Sequence, residues 1–454
     1  MAGPALDYRY AYPFASSVAR EAKSGRTALR LVPDRKPAQG DWFVRGLLRS
    51  PRRVAELLLA VGEVARTRYF LPSPTLQKIL RLADPVVTSG RDRVRFESFS
   101  ACCGVYARLD LLGGALDADE IGAGTTNVDL GPEMRAALAR VTDGDRVVLS
   151  VGAGSVEIER AGQTVVERKV ALPLRWLKGF VEVQAVQAGM RPVLEVDRDE
   201  ARRFLRALPR QKTSGAQRAW VEAQGRGLRL AFREAAGAVP LIGIDRVRLL
   251  EPLARHATGL RLYSDGASSA WELSCGDARF VLAVSAEPSR GFSGEGQALT
   301  ALAGQNGEGD GGAARAKVRA ALAWQPRLDP AALAADLSLA PTAVTSALAA
   351  LGTRGLVGFD LAEGGYFQRA LPFDLDLVEA LHPRLVAARK LLAEGAVERG
   401  REVGETRVRS GDVVHRVRVS DAGSVCTCPW YAKHRGERGP CKHVLAAALA
   451  AEAG

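Results

Sequence analysis

Three cysteines and one histidine near the end of the sequence constrain this chain more than any other feature. Cys426-Thr427-Cys428, a spacer of twelve residues and Cys441-Lys442-His443 spell C-x-C-x12-C-x-H. Zinc takes four tetrahedral ligands, thiolate sulfur at about 2.3 Å and imidazole nitrogen at about 2.0–2.1 Å, and a Cys3His set fills that shell with no vacant position. Two cysteines two residues apart on an extended segment leave it on the same face. Arg407–Arg409 and Val413–Val419 are accordingly predicted to form a hairpin about Ser410-Gly411-Asp412, with Ser424–Cys428 as a third strand delivering two thiolates. Pro440 is predicted to open a helix that presents Cys441 and His443 and packs Val444, Leu445, Ala448 and Leu449 back on the sheet. His434, in the spacer between Lys433 and Arg435, competes with His443 for the fourth place; the C-x-H spacing and the helix favour His443. A catalytic zinc needs an open position, which four such ligands do not leave.

The remaining sequence is that of a large soluble protein. Its 454 residues exceed one ordinary domain, and 47% hydrophobic with 25% charged residues suits extensive cores. Six cysteines are too few for a disulfide framework. Cys102, Cys103 and Cys275 lie in apolar, strand-like sequence and read as core residues, while His256, His382 and His415 have no partners at ligand spacing. Met1 to Arg20 places Asp7 and Arg9 where a signal peptide needs an apolar run, and no stretch of about 18 apolar residues occurs. A cytoplasmic location is expected. Nucleotide-binding, metalloprotease, nucleophile-elbow and kinase motifs are missing from the sequence, so no enzyme activity is expected.

Composition changes most sharply at Gly304–Gly312, where glycines mix with polar residues, as in a tether. The expected order is an N-terminal helical or irregular region (1–89), a first α+β repeat (90–190), a second (191–300), a Gly-rich linker (301–314), a helical domain (315–375) and the zinc module with its preceding helix (384–454). Val94–Phe99 and Val105–Leu109 alternate, as strands with one wet face. From Val128-Asp129 a helix (Pro132–Val141) and strands (Val147–Val151, Val156–Arg160) follow; sixty-eight residues later Val196-Asp197 opens the same order, with a helix (Glu200–Leu208) and strands (Arg218–Ala223, Leu228–Phe232). The fold class is thus α+β and multidomain, with a duplicated antiparallel-sheet platform. Beyond the linker, Asp329-Pro330 starts a helix, Ala343–Leu351 is another, and Leu356–Phe359 with Tyr366-Phe367 forms a hairpin.

Four resemblances follow from these patterns. The duplicated helix-and-strands order resembles the repeated halves of DNA sliding clamps. Leu337 to Phe359 resembles the second helix, turn, recognition helix and wing of winged helix-turn-helix domains. Its outward positions Thr342, Thr345, Ser346, Ala349 and Ala350 offer no Arg, Lys, Asn or Gln for base edges before Arg354, which favours protein docking over groove reading. Arg401 to Leu449, with the ligand order and the helix after His443, resembles the SWIM zinc finger, drawn here as a small ββα-type module. That resemblance implies a structural Zn(2+) held by Cys426, Cys428, Cys441 and His443, in a module that binds DNA or protein. With Arg290-Gly291-Phe292-Ser293-Gly294-Glu295-Gly296 ahead of the linker, the chain also resembles bacterial SWIM-finger proteins that accompany an AAA-type ATPase and a von Willebrand A-domain protein.

Charge points the same way. Lys and Arg number 63 against 51 Asp and Glu, a formal charge of +12. From Arg384 to Lys442 there are 13 basic and 7 acidic residues. Arg407, Arg409, Arg416 and Arg418 alternate along the predicted hairpin and should share a face; Lys433, Arg435 and Arg438 flank Trp430 and Tyr431. Cations beside aromatics suit phosphate contact and base stacking. The expected function is a non-enzymatic zinc-binding adaptor whose finger holds DNA or a protein partner. The alternative is a protein–protein scaffold, in an ATPase and von Willebrand A-domain system, with no nucleic-acid contact.

Overall fold

The structure is a computed structural model that describes residues 17–20, 27–30, 42–67, 85–118, 122–170, 172, 174–210, 217–287, 291–292, 311–325, 327–371, 382–402, 404–420, 423–436 and 438–453. The polar stretch before 311, and all of the Arg290–Gly296 motif except Gly291 and Phe292, lie outside them.

An eight-stranded antiparallel sheet organises the platform. Its spatial order is Arg191–Asp197, Gly259–Ser264, Ser269–Cys275, Ala278–Val284, Val105–Leu111, Val94–Phe99, Val86–Gly90 and Ala123–Asn127. The early and late portions of the chain meet where Ala278–Val284 pairs with Val105–Leu111, from Ala278↔Leu111 to Val284↔Val105. Period-2 alternation divides the side chains between two faces. Val94, Phe96, Ala107, Leu109, Phe280 and Leu282 enter the larger core beneath the helices Pro51–Arg66 and Arg198–Ala207. The second of these helices starts where Asp197 accepts from the backbone N–H groups of Asp199 and Glu200, both at 3.0 Å. Two smaller antiparallel sheets, of five and three strands, flank this core.

The opposite face carries Arg95, Glu97, Arg108, Asp110 and Arg279; the first three belong to the strands that read in sequence as having one wet face. They are not wet. The helix Leu174–Gly189 and a later β-hairpin, Val357–Asp360 with Gly365–Gln368, lie over them, so that Arg108 and Asp110 are fully buried. Phe99, Tyr106, Trp176, Phe180 and Phe292 fill the apolar part of this layer, with Phe99 and Phe180 edge to face at 4.9 Å. Gly291 makes the entry of Phe292 possible: its φ is +61°, and a Cβ there would lie 2.4 Å from the Cys103 carbonyl carbon.

The covering hairpin belongs to a module of three helices, Gly311–Ala321, Pro330–Leu337 and Pro341–Thr353, around Val318, Leu333, Val344, Leu348 and Leu351. Asp360 ends the first strand of the hairpin and enters the platform face among arginines. Its carboxylate lies 2.7 Å from Arg95, 2.9 Å from Arg108, 3.4 Å from Arg279 and 3.5 Å from Arg93. Glu363 joins Arg93 at 3.2 Å and Arg279 at 3.4 Å, and Arg108 also meets Asp110 at 3.1 Å. Arg369, at the hairpin's end, returns to Glu97 at 2.6 Å, and Tyr106 donates its hydroxyl to the same carboxylate at 2.7 Å. Burial alone would raise the Asp360 pKa, but Arg108, Arg95 and Arg279 hold it well below the carboxylate range.

Candidate metal centre

The C-terminal module has a four-stranded antiparallel sheet, Val397–Arg399, Glu405–Ser410, Val413–Ser420 and Gly423–Cys426, one strand more than the sequence suggests. Gly411, at φ +62°, turns the central hairpin. Val408 and Val417 point from one face into a core with Leu385, Ala388 and Leu391 of the helix Pro383–Ala393 and Val444, Leu445 and Ala448 of the helix Lys442–Ala453.

The four ligand candidates converge at one end of that core. Cys426 ends the last strand. Cys428 caps a short helix, Pro429–His434, which the sequence pattern did not disclose although Pro429 occupies the first-turn position that favours one. Cys441 immediately precedes Lys442–Ala453, so that helix begins just after Pro440 and Cys441, and His443 lies in its first turn. The donor atoms all lie within 4.8 Å of one another, and all four residues are buried. His443 Nδ1 is 3.8 Å from Cys426 Sγ and 4.0 Å from Cys441 Sγ. The edge of a tetrahedron with 2.3 Å arms is about 3.8 Å, so the donor set fits zinc in type, number and spacing.

Backbone geometry prepares the sulfurs for charge. Tyr431 N–H donates to Cys428 Sγ and Val444 N–H to Cys441 Sγ, each at 3.4 Å, both at helix N-termini. A hydrogen bond from Cys426, with further help from His443 and Val444, brings the Cys441 thiol down to about 4 against the opposing effect of burial. Hydrogen bonding to Cys441 and burial push Cys426 upward, and burial raises Cys428. Zinc takes its cysteine ligands as thiolates, so binding should release the protons that the three thiols carry.

His434 does not join the donors; its ring rests on Trp430 at 4.4 Å. The His415 ring lies 4.2 Å from that of His443, a neighbour that ligand spacing could not reveal because it comes from a different strand. His256 pairs with Glu56 across the platform, and Cys102, Cys103 and Cys275 are buried thiols; burial pushes Cys275 up to about 12.

The basic residues divide into two groups. Register places Arg407 opposite Arg416, Glu405 opposite Arg418 and Arg409 opposite Val414, on the face turned away from Val408 and Val417. Trp430 lies elsewhere, between the guanidinium groups of Arg384 and Arg438, each 4.9 Å from its ring. Arg384 also donates to the carbonyl oxygens of Arg438 and Pro440, both at 2.7 Å, bracing the turn into Cys441. Lys433 and Arg435 are exposed beside this group.

Residues 415–452 match the family model of the SWIM zinc finger. The C-terminal module is a SWIM zinc finger, and with its Cys3His cluster it binds zinc. No curated protein matches the chain. Among solved structures, the chain is similar to proliferating cellular nuclear antigen from Entamoeba histolytica, at 9% identity and TM-score 0.35, over 54% of this chain and 99% of that one. It is also similar to a PCNA2–PCNA3 complex from Sulfolobus tokodaii, at 10% identity and TM-score 0.37, over 54% and 100%. At these scores the likeness does not define the platform's fold.

Proposed function

We propose that the chain is a non-enzymatic adaptor in which zinc holds the finger in shape and the finger's exposed sheet face holds DNA or a protein. The observation that carries this reading is the buried Cys3His cluster at the junction of strand and helices. Its four donors leave no open position for a metal-bound reactant, which supports a structural metal. When bound, zinc supplies a cross-link. Cys426 ties it to the sheet, Cys428 to the short helix, and Cys441 and His443 to the final helix.

We read the three helices and hairpin as a winged-helix-like module used for docking rather than groove reading. Its hairpin is buried against the platform by Asp360, and Ala350, Leu351 and Thr353 of the third helix are buried too, leaving Thr342, Thr345 and Ser346 exposed. None of these three side chains carries the positive charge that neutralises a phosphate backbone.

The test is metal analysis joined to limited proteolysis and partner binding. The intact chain should carry about one zinc per chain; Cys441→Ser should lose it, become protease-sensitive from residue 401 onward and lose partner binding. A Cys441→Ser protein that kept a resistant finger and bound its partner as before would overturn the reading.

A further inference from the structure

We propose that the open face of the finger's sheet docks an acidic protein segment in which carboxylates alternate with apolar side chains. This inference rests on the adaptor function above and specifies the class of its partner. The face carries Arg407, Arg409, Arg416 and Arg418, and the two valines Val414 and Val425 stand among them, 53% and 52% exposed. Arg418 is joined to Glu402, and Arg407 lies 3.5 Å from Glu405. Arg409 and Arg416 are exposed and have no carboxylate partner among the described residues. Arg407 and Arg416 are moreover directly opposite on adjacent strands, an arrangement of like charges that is unfavourable until an anion lies between them.

Two features select a protein over a nucleic acid. Glu398 and Glu402 stand exposed at this surface beside the arginines, where a continuous phosphate backbone would meet repulsion but separate carboxylates could be placed between them. The apolar contribution comes from valines, which offer no plane for base stacking. The finger's half-buried indole packs on the core side of the sheet, with Arg384 and Arg438 each 4.9 Å from its ring, away from this face. An extended acidic and apolar segment would satisfy the arginines and cover Val414 and Val425 together.

Binding of three probes to the zinc-loaded full chain tests this: a short labelled peptide alternating Glu and Leu, its Glu-Ser counterpart, and an oligo-dT strand. The Glu-Leu peptide should bind about tenfold tighter than the Glu-Ser peptide. Arg409→Ala with Arg416→Ala should weaken it about tenfold or more, and Val414→Ser with Val425→Ser by a similar factor, with zinc content unchanged in both variants. Peptide binding indifferent to the valine pair overturns the proposal. So does oligo-dT binding that depends on the arginines alone, although the adaptor function would then stand with a nucleic-acid partner. If the zinc-loaded chain bound none of the probes, this proposal would fall, while the adaptor function would still be decided by the Cys441→Ser comparison.

Discussion

Asp360 and Arg384 show how single side chains hold separate parts of this molecule together. Asp360 stands among four arginines, and removing its charge leaves Arg95, Arg108 and Arg279 buried without their common partner. Asp360→Asn should cost about 3–5 kcal/mol at neutral pH, measured by denaturant unfolding. The sign of its pH dependence follows from the depressed carboxyl pKa: the charge contributes fully above the ordinary value of 3.8 and less as acidity rises below it. Hydrogen-exchange protection at the hairpin should therefore be unchanged from about pH 7 to pH 4, and the difference between wild type and Asp360→Asn should narrow only below about pH 4. Arg384 acts on the metal from outside the ligand set. Arg384→Ala should leave the four donors in place yet weaken zinc binding about tenfold in a chelator competition, because the turn into Cys441 loses two hydrogen bonds.

At the scale of elements, close approach decides what packs where. Gly352 brings the third module helix against the platform helix Leu174–Gly189, and a Cβ there would lie 2.5 Å from the Gln184 amide. Gly352→Ala should destabilise the chain by about 1–3 kcal/mol, and Gln184→Ala should relieve much of that cost in a double-mutant cycle. The local order of strands, helices and ligands was legible in the sequence because periodicity and spacing are local properties. Val94–Phe99 displays its alternation plainly, but alternation cannot tell a solvated polar face from one sealed by oppositely charged groups far along the chain. Arg108 and Asp360 are separated by 252 positions, and nothing near either announces the other. The same limit hid His415 beside His443 and Arg384 beside Trp430, whereas the metal ligands stood out because their chemistry requires four particular residue types in a short span.

Over the whole molecule, one set of contacts makes a continuous body of platform and helical module, and another builds the finger around its metal. In the first, Arg93, Arg95, Arg108 and Arg279 balance Asp92, Asp110, Asp360 and Glu363, so the buried network is neutral and depends little on salt. In the second, the Cys3His cluster joins the end of a strand to the starts of two helices. Zinc-edge X-ray absorption on the full-length protein addresses the metal directly. The account predicts a four-coordinate zinc with three sulfur neighbours and one imidazole nitrogen, lost in Cys441→Ser; a bound water in the shell, or fewer than three sulfurs, would contradict it.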